Sequence, residues 1–104
     1  MAGSDRRRAG PRERALTPSR HAVYRLDADL LLVFKPRGHR EAPHAHPHRQ
    51  RLCVLRGRLA VCTGTRTVRL SPRSRPLILA AGRAHRTVAL EDTWVLAEAV
   101  RAAG

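Results

Sequence analysis

The chain has few aromatics, one lysine, two cysteines, few acids and no long apolar run. Each shortage excludes something. The aromatics are Tyr24, Phe34 and Trp94, too few for a platform that stacks nucleic-acid bases. No apolar stretch approaches the roughly 20 residues that span a membrane. Arg6 to Arg8 lead into Ala9, Gly10, Pro11, Arg12 and Glu13 rather than an apolar segment. Neither a Sec nor a twin-arginine leader is read there, and the expectation is a cytoplasmic protein with no membrane partner. Without a secretory signal, Cys53 and Cys62 are expected as reduced thiols. They are not spaced like a Cys-x-x-Cys zinc knuckle. At 104 residues the chain allows one domain with a modest core and excludes a TIM barrel.

What is abundant is arginine. Lys35 is the sole exception among 21 basic residues, against 8 acids, for a formal charge of +13. Such a charge invites an arginine-rich nucleic-acid binder. Its distribution argues the other way, because no long basic block occurs after residue 20. A milder consequence is a positive field that steers small anions toward a site.

Residues 1–20 hold six Arg with Gly, Pro and Ser, and Leu16 is their one large aliphatic after Met1. They are expected to form a flexible arm, leaving 21–104 as the folded domain. From Tyr24 onward short apolar runs alternate with turn signals. The strand candidates are 29–35, 50–56, 58–62, 65–70, 76–80, 85–90 and 93–100. Residues 95–102 are Ala-rich and could be helical on propensity. Many short strands at this spacing predict an all-β sandwich or barrel. Gly57-Arg58 is expected to form a type II′ hairpin turn that places Cys53 opposite Cys62.

The chemistry concentrates in residues 38–50. His44 and His46, two apart on an extended strand, would face one side and could converge on one metal. Pro43 and Pro47 limit helix there. A third ligand is needed, and His85, set after an apolar strand and Gly82, is the candidate. His48 and Glu41 are weak candidates for a general acid or base.

This segment resembles the first motif of the cupin superfamily, G-x5-H-x-H-x(3,4)-E-x6-G. Gly38, His44, His46, Gln50 and Gly57 occupy its positions at matching spacings, with Gln50 where the family usually has Glu. The second motif, G-x5-P-x-G-x2-H-x3-N, is kept only at Gly82 and His85; Ser74, Ala80 and Ala89 replace its first Gly, Pro and Asn. The resemblance covers about residues 24–100. It implies a small double-stranded β-helix, a jelly-roll barrel, with His44, His46, Gln50 and His85 around one divalent transition metal: Fe, Zn, Ni, Mn or Cu. It also implies a homodimer, made plausible by sheet edges that need covering. The expected function is a metal-dependent enzyme on a small, anionic metabolite, by dioxygenase-type or Lewis-acid isomerase/lyase chemistry. The alternatives are a non-catalytic metal- or ligand-binding module and the nucleic-acid binder above.

Overall fold

The structure is a computed structural model and describes residues 17–101. Residues 1–16, most of the expected arm, lie outside the described residues, as do 102–104. Among the described residues nine strands follow one another: β1 (Ala22–Asp27), β2 (Leu30–Lys35), β3 (Arg40–His44), β4 (Arg49–Arg56), β5 (Leu59–Thr63), β6 (Arg66–Leu70), β7 (Leu77–Leu79), β8 (His85–Ala89) and β9 (Thr93–Val100). They form a five-stranded sheet, β1-β2-β9-β4-β7, and a four-stranded sheet, β3-β8-β5-β6. All pairings are antiparallel. The expected all-β jelly roll is what forms. Among the described residues no helix is long and apolar enough to cross a membrane.

The two-residue side-chain period explains the layers. In β4, Leu52 and Val54 point inward and are buried; in β9, Val95 and Ala97 do the same. Leu59 and Val61 from β5, Leu70 from β6 and Ala89 from β8 meet them from the other sheet. Burial of such side chains contributes about 1.5–3 kcal/mol each for the larger ones.

The strand candidate 93–100 forms, and among the described residues the helical alternative for 95–102 is not taken up: β9 runs to Val100 and is paired on both sides, with β2 and β4. Alternating burial in a central strand outweighs the helix preference of its alanines. Nor is Gly57-Arg58 a hairpin turn. β4 pairs with β7 and β9, while β5 pairs with β6 and β8, so the chain passes from one sheet to the other at Gly57. Cys53 stands opposite Leu96, and Cys62 opposite Thr67 and Arg86. Both thiols are free. A glycine is required at this corner: its φ is +91°, and a Cβ would lie 2.3 Å from the Asp92 carbonyl oxygen. The buried Thr93 hydroxyl accepts the Arg58 N–H (3.1 Å) and donates to the Glu91 carbonyl (2.7 Å), tying the corner down.

Candidate metal centre

β3 is an edge strand, which tolerates Pro43. Its register with β8 shifts between Glu41 and His44. In a regular strand, residues three apart face opposite sides. The irregularity turns both Glu41 and His44 into the same cavity. His46 lies two residues beyond the end of β3, in the following loop. That loop is held by the Gly82 N–H, which donates to the His46 carbonyl (2.7 Å). Gly82 has φ +73°, a turn conformation that glycine adopts readily. Three residues later His85 opens β8, points inward and is 4% exposed.

The ligand atoms of His44, His46 and His85 all lie within 4.8 Å of one another. Ring centroids are 4.5 Å apart for His44–His85, 5.0 Å for His44–His46 and 5.4 Å for His46–His85. Nitrogens bound to one ion at about 2.1 Å stand roughly 3–3.5 Å apart, so small ring movements would close the set. The outer nitrogens favour this use. His44 Nδ1 is 2.8 Å from the Ala42 carbonyl, and His85 Nδ1 is 3.2 Å from the Arg83 carbonyl. With a proton on Nδ1 in each contact, Nε2 carries the free lone pair. Burial, then the charge of neighbouring histidines, lowers the pKa of His46. Burial also lowers that of His85, against an opposing pull from the Arg83 carbonyl. Both effects favour the neutral, ligating form of the ring. The donor set therefore fits a divalent transition metal.

No family model and no curated protein matches the sequence. Solved structures do. The chain is similar to a cupin-2 domain containing protein from Shewanella frigidimarina, with TM-score 0.64 and 15% identity over 86% of this chain and 90% of that one. It is similar to KdgF from Halomonas sp., with TM-score 0.59 and 26% identity over 78% of each chain. It also matches a ribosomal oxygenase from Escherichia coli, with TM-score 0.65 and 22% identity over 73% of this chain and 23% of that one. The chain folds as a small cupin domain.

The cupin cavity, about 150 Å³, is lined by the three histidines and by Gln50. A cavity of that size holds roughly a benzene-sized guest. Its walls are apolar, with Leu31, Val33, Leu52 and Val95 among them. Beside the histidines lies a second polar group that sequence reasoning missed in part. Lys35 is buried at 5% exposure and its ammonium donates to Glu41 Oε1 and to the Thr87 hydroxyl (3.2 Å). Thr87 in turn donates to the same Glu41 oxygen (3.0 Å). Glu41 was a candidate; Lys35 and Thr87 were not. Their signal was the lone lysine at the same strand parity as Leu31 and Val33. His48 is not among the cavity-lining residues; its ring stacks beside His46 at 6.2 Å.

A second trio, His21, His39 and Glu41, also has its ligand atoms within 4.8 Å. It is a poor metal site. Glu41 already serves Lys35 and Thr87, and the two rings stack nearly parallel at 4.3 Å and 15°. Their lone pairs, which lie in the ring planes, then run side by side rather than converge.

Proposed function

We propose that this cupin domain is a cytoplasmic, metal-dependent enzyme acting on a small, anionic metabolite at a mononuclear centre held by His44, His46 and His85, with Gln50 as a fourth donor. The observation that carries the reading is the convergence of three imidazoles on an apolar-walled cavity. Likeness to a ribosomal oxygenase and to KdgF is compatible with it. A divalent transition metal bound there would supply Lewis-acid polarisation of a substrate oxygen or activation of dioxygen.

The chain's own residues would do the rest. Imidazoles and an amide bring no negative charge, so this donor set leaves the ion's full attraction for an anionic substrate. The Ala42 and Arg83 carbonyls fix two of the rings. Glu41, kept ionised beside Lys35, lines the cavity and would accept a hydrogen bond or a proton from a bound substrate. Leu31, Val33, Leu52 and Val95 would exclude water around the reacting atoms.

The test is to incubate metal-loaded protein with a cellular small-molecule extract and follow it by NMR, in air and without oxygen. The expected result is a signal that changes with wild type and not with His85→Ala. A change that needs air assigns the dioxygenase-type reaction; one that does not assigns the isomerase or lyase class. If wild type changes nothing while still holding metal, the domain is a binding module and the enzymatic reading fails.

A further inference from the structure

The outer face of the four-stranded sheet carries charge of one sign. Arg40 pairs with Val88, Val88 with Ala60 and Ala60 with Arg69, so these four stand in one row across β3, β8, β5 and β6. A neighbouring row sets Arg86 beside Cys62 and Thr67. All of them have the parity opposite to Glu41, Thr87 and Val61, which face the cavity and the core. Arg40, Arg69 and Arg86 are exposed, and none of them forms an ion pair among the described residues. We propose that this face binds the phosphate backbone of a double-stranded nucleic acid without reading its sequence.

Along the chain these arginines form no basic block; strand pairing gathers them from three separate segments. Acids are kept away from them. Of the six acids among the described residues, Glu41 alone belongs to a strand of this sheet, and it faces the cavity beside Lys35. Glu91, beyond the end of β8, already faces Arg58 (3.6 Å). Asp29 and Glu98 are paired with Arg101 and Arg51 at the other sheet. The face therefore keeps its positive charge uncompensated.

The spacing suits a rigid array of phosphates. With strands about 4.8 Å apart and a rise of about 3.4 Å per residue, the backbone positions of Arg40 and Arg69 are about 14 Å apart, and Arg86 stands about 8 Å from the first and about 12 Å from the second. A duplex carries one charge per about 1.7 Å of its axis, so a patch of this width meets several phosphates at once. Each guanidinium can grip a phosphate through two parallel hydrogen bonds. The floor between the arginines selects the partner. It consists of Ala60, Cys62, Thr67 and Val88. It has no aromatic ring to stack the bases of a single strand, and a flat sheet offers no element to enter a groove. Nor does it hold a large apolar side chain to enter the headgroup layer of a membrane.

Contacts to phosphates alone position a protein on a duplex and carry no base preference. Such binding would hold the domain on a nucleic acid while its chemistry proceeds on the opposite side of the sheet. This inference is independent of the metal centre.

The experiment is fluorescence anisotropy of a labelled DNA duplex of mixed sequence with the full chain, between about 50 and 200 mM salt. Two variants remove the same charge. Arg40→Gln/Arg69→Gln/Arg86→Gln does so on the face, and Arg49→Gln/Arg73→Gln/Arg75→Gln at exposed positions away from it. Wild type is expected to bind the duplex. The face variant should bind at least about tenfold more weakly, with a log–log salt slope shallower by about 3. The other variant should stay close to wild type. A wild type that leaves the duplex free at about 50 mM salt overturns the proposal. So do equal losses in the two variants, which would mean bulk charge alone, and tighter binding of a single strand or of phosphatidylserine vesicles. If the face variant fails to fold, phenylglyoxal labelling of wild type decides. The duplex should shield Arg40, Arg69 and Arg86 and leave Arg49, Arg73 and Arg75 reactive; equal or absent shielding overturns the proposal.

Discussion

His44 and His85 stand directly opposite each other in the β3–β8 ladder, with ring centroids 4.5 Å apart. Residues from chain segments some forty positions apart are thus fixed by backbone pairing, not by loop chance. The register shift before His44 is what aims it inward. Deleting Ala42 is expected to regularise β3 and leave His44, then two residues from Glu41, on the cavity face and opposite His85. The carbonyl that His44 Nδ1 contacts would be lost. Metal affinity measured by calorimetry should fall, but by less than in His44→Ala, with the sheet spectrum retained. An affinity as low as that of His44→Ala would refute this reading of the shift.

The Lys35–Glu41 pair gives a stability prediction. Glu41→Ala leaves a buried ammonium without its carboxylate and is expected to cost about 3 kcal/mol. The double variant Lys35→Met/Glu41→Leu should recover to within about 1 kcal/mol of wild type. Urea unfolding of metal-free protein measures both. A double variant as unstable as the single one would contradict the pair's electrostatic origin.

The same pair sets an acid dependence. Burial pushes the Glu41 carboxyl upward, but Lys35 and the Thr87 hydroxyl outweigh it, and its pKa lies below the ordinary carboxylate value. The folded state therefore binds this proton less readily than the unfolded state. The resulting stability is complete above the ordinary carboxylate pKa. It is lost as pH falls through that value to the lower folded one. Metal-free wild type should lose stability over that window, and Lys35→Met/Glu41→Leu should show a flatter acid limb in urea midpoints measured against pH.

Gly57 and Gly64 should respond differently to alanine. Both have positive φ, +91° and +57°. At Gly57 the new Cβ meets the Asp92 backbone, whereas at Gly64 nothing lies within 4 Å. Gly57→Ala is expected to cost about 3 kcal/mol and Gly64→Ala about 1 kcal/mol. Equal denaturation midpoints would show that the corner is not tightly packed.

The parts of this fold that were legible are those carried by local pattern. β4, β8 and β9 alternate more and less buried residues, β5 is a short apolar run, and all four lie between clear turn signals, so their positions were readable. β3 was not: Arg-Glu-Ala-Pro-His has no apolar alternation, because it is an edge strand whose inward residues serve the cavity. Pairing was less legible still. A glycine with positive φ before a short apolar run suits a hairpin and a sheet-to-sheet corner equally, and only distant partners decide. His44, His46 and His85 were readable because few other side chains explain that spacing. His46 nonetheless reaches the cavity from a loop, not from the strand that the two-residue spacing suggested. The Lys35 contact depends on the face β2 turns to the core, which β2, apolar at five positions of six, does not disclose by itself.

Gln50 tests how charge tunes the centre. Gln50→Glu adds a negative donor at a cavity-lining position and is expected to tighten divalent-metal binding tenfold or more. Calorimetric titration with Zn and Mn measures it. No change in affinity would remove Gln50 from the ligand set and leave the three histidines.

The central claim is that three histidines hold one metal. Elemental analysis of protein prepared without chelators and supplied with Fe, Zn, Ni, Mn and Cu tests it directly. The account predicts close to one equivalent of a transition metal per chain in wild type, and a loss of most of it in His44→Ala and in His85→Ala. A folded wild type that retains no metal, or alanine variants that retain as much as wild type, would contradict it.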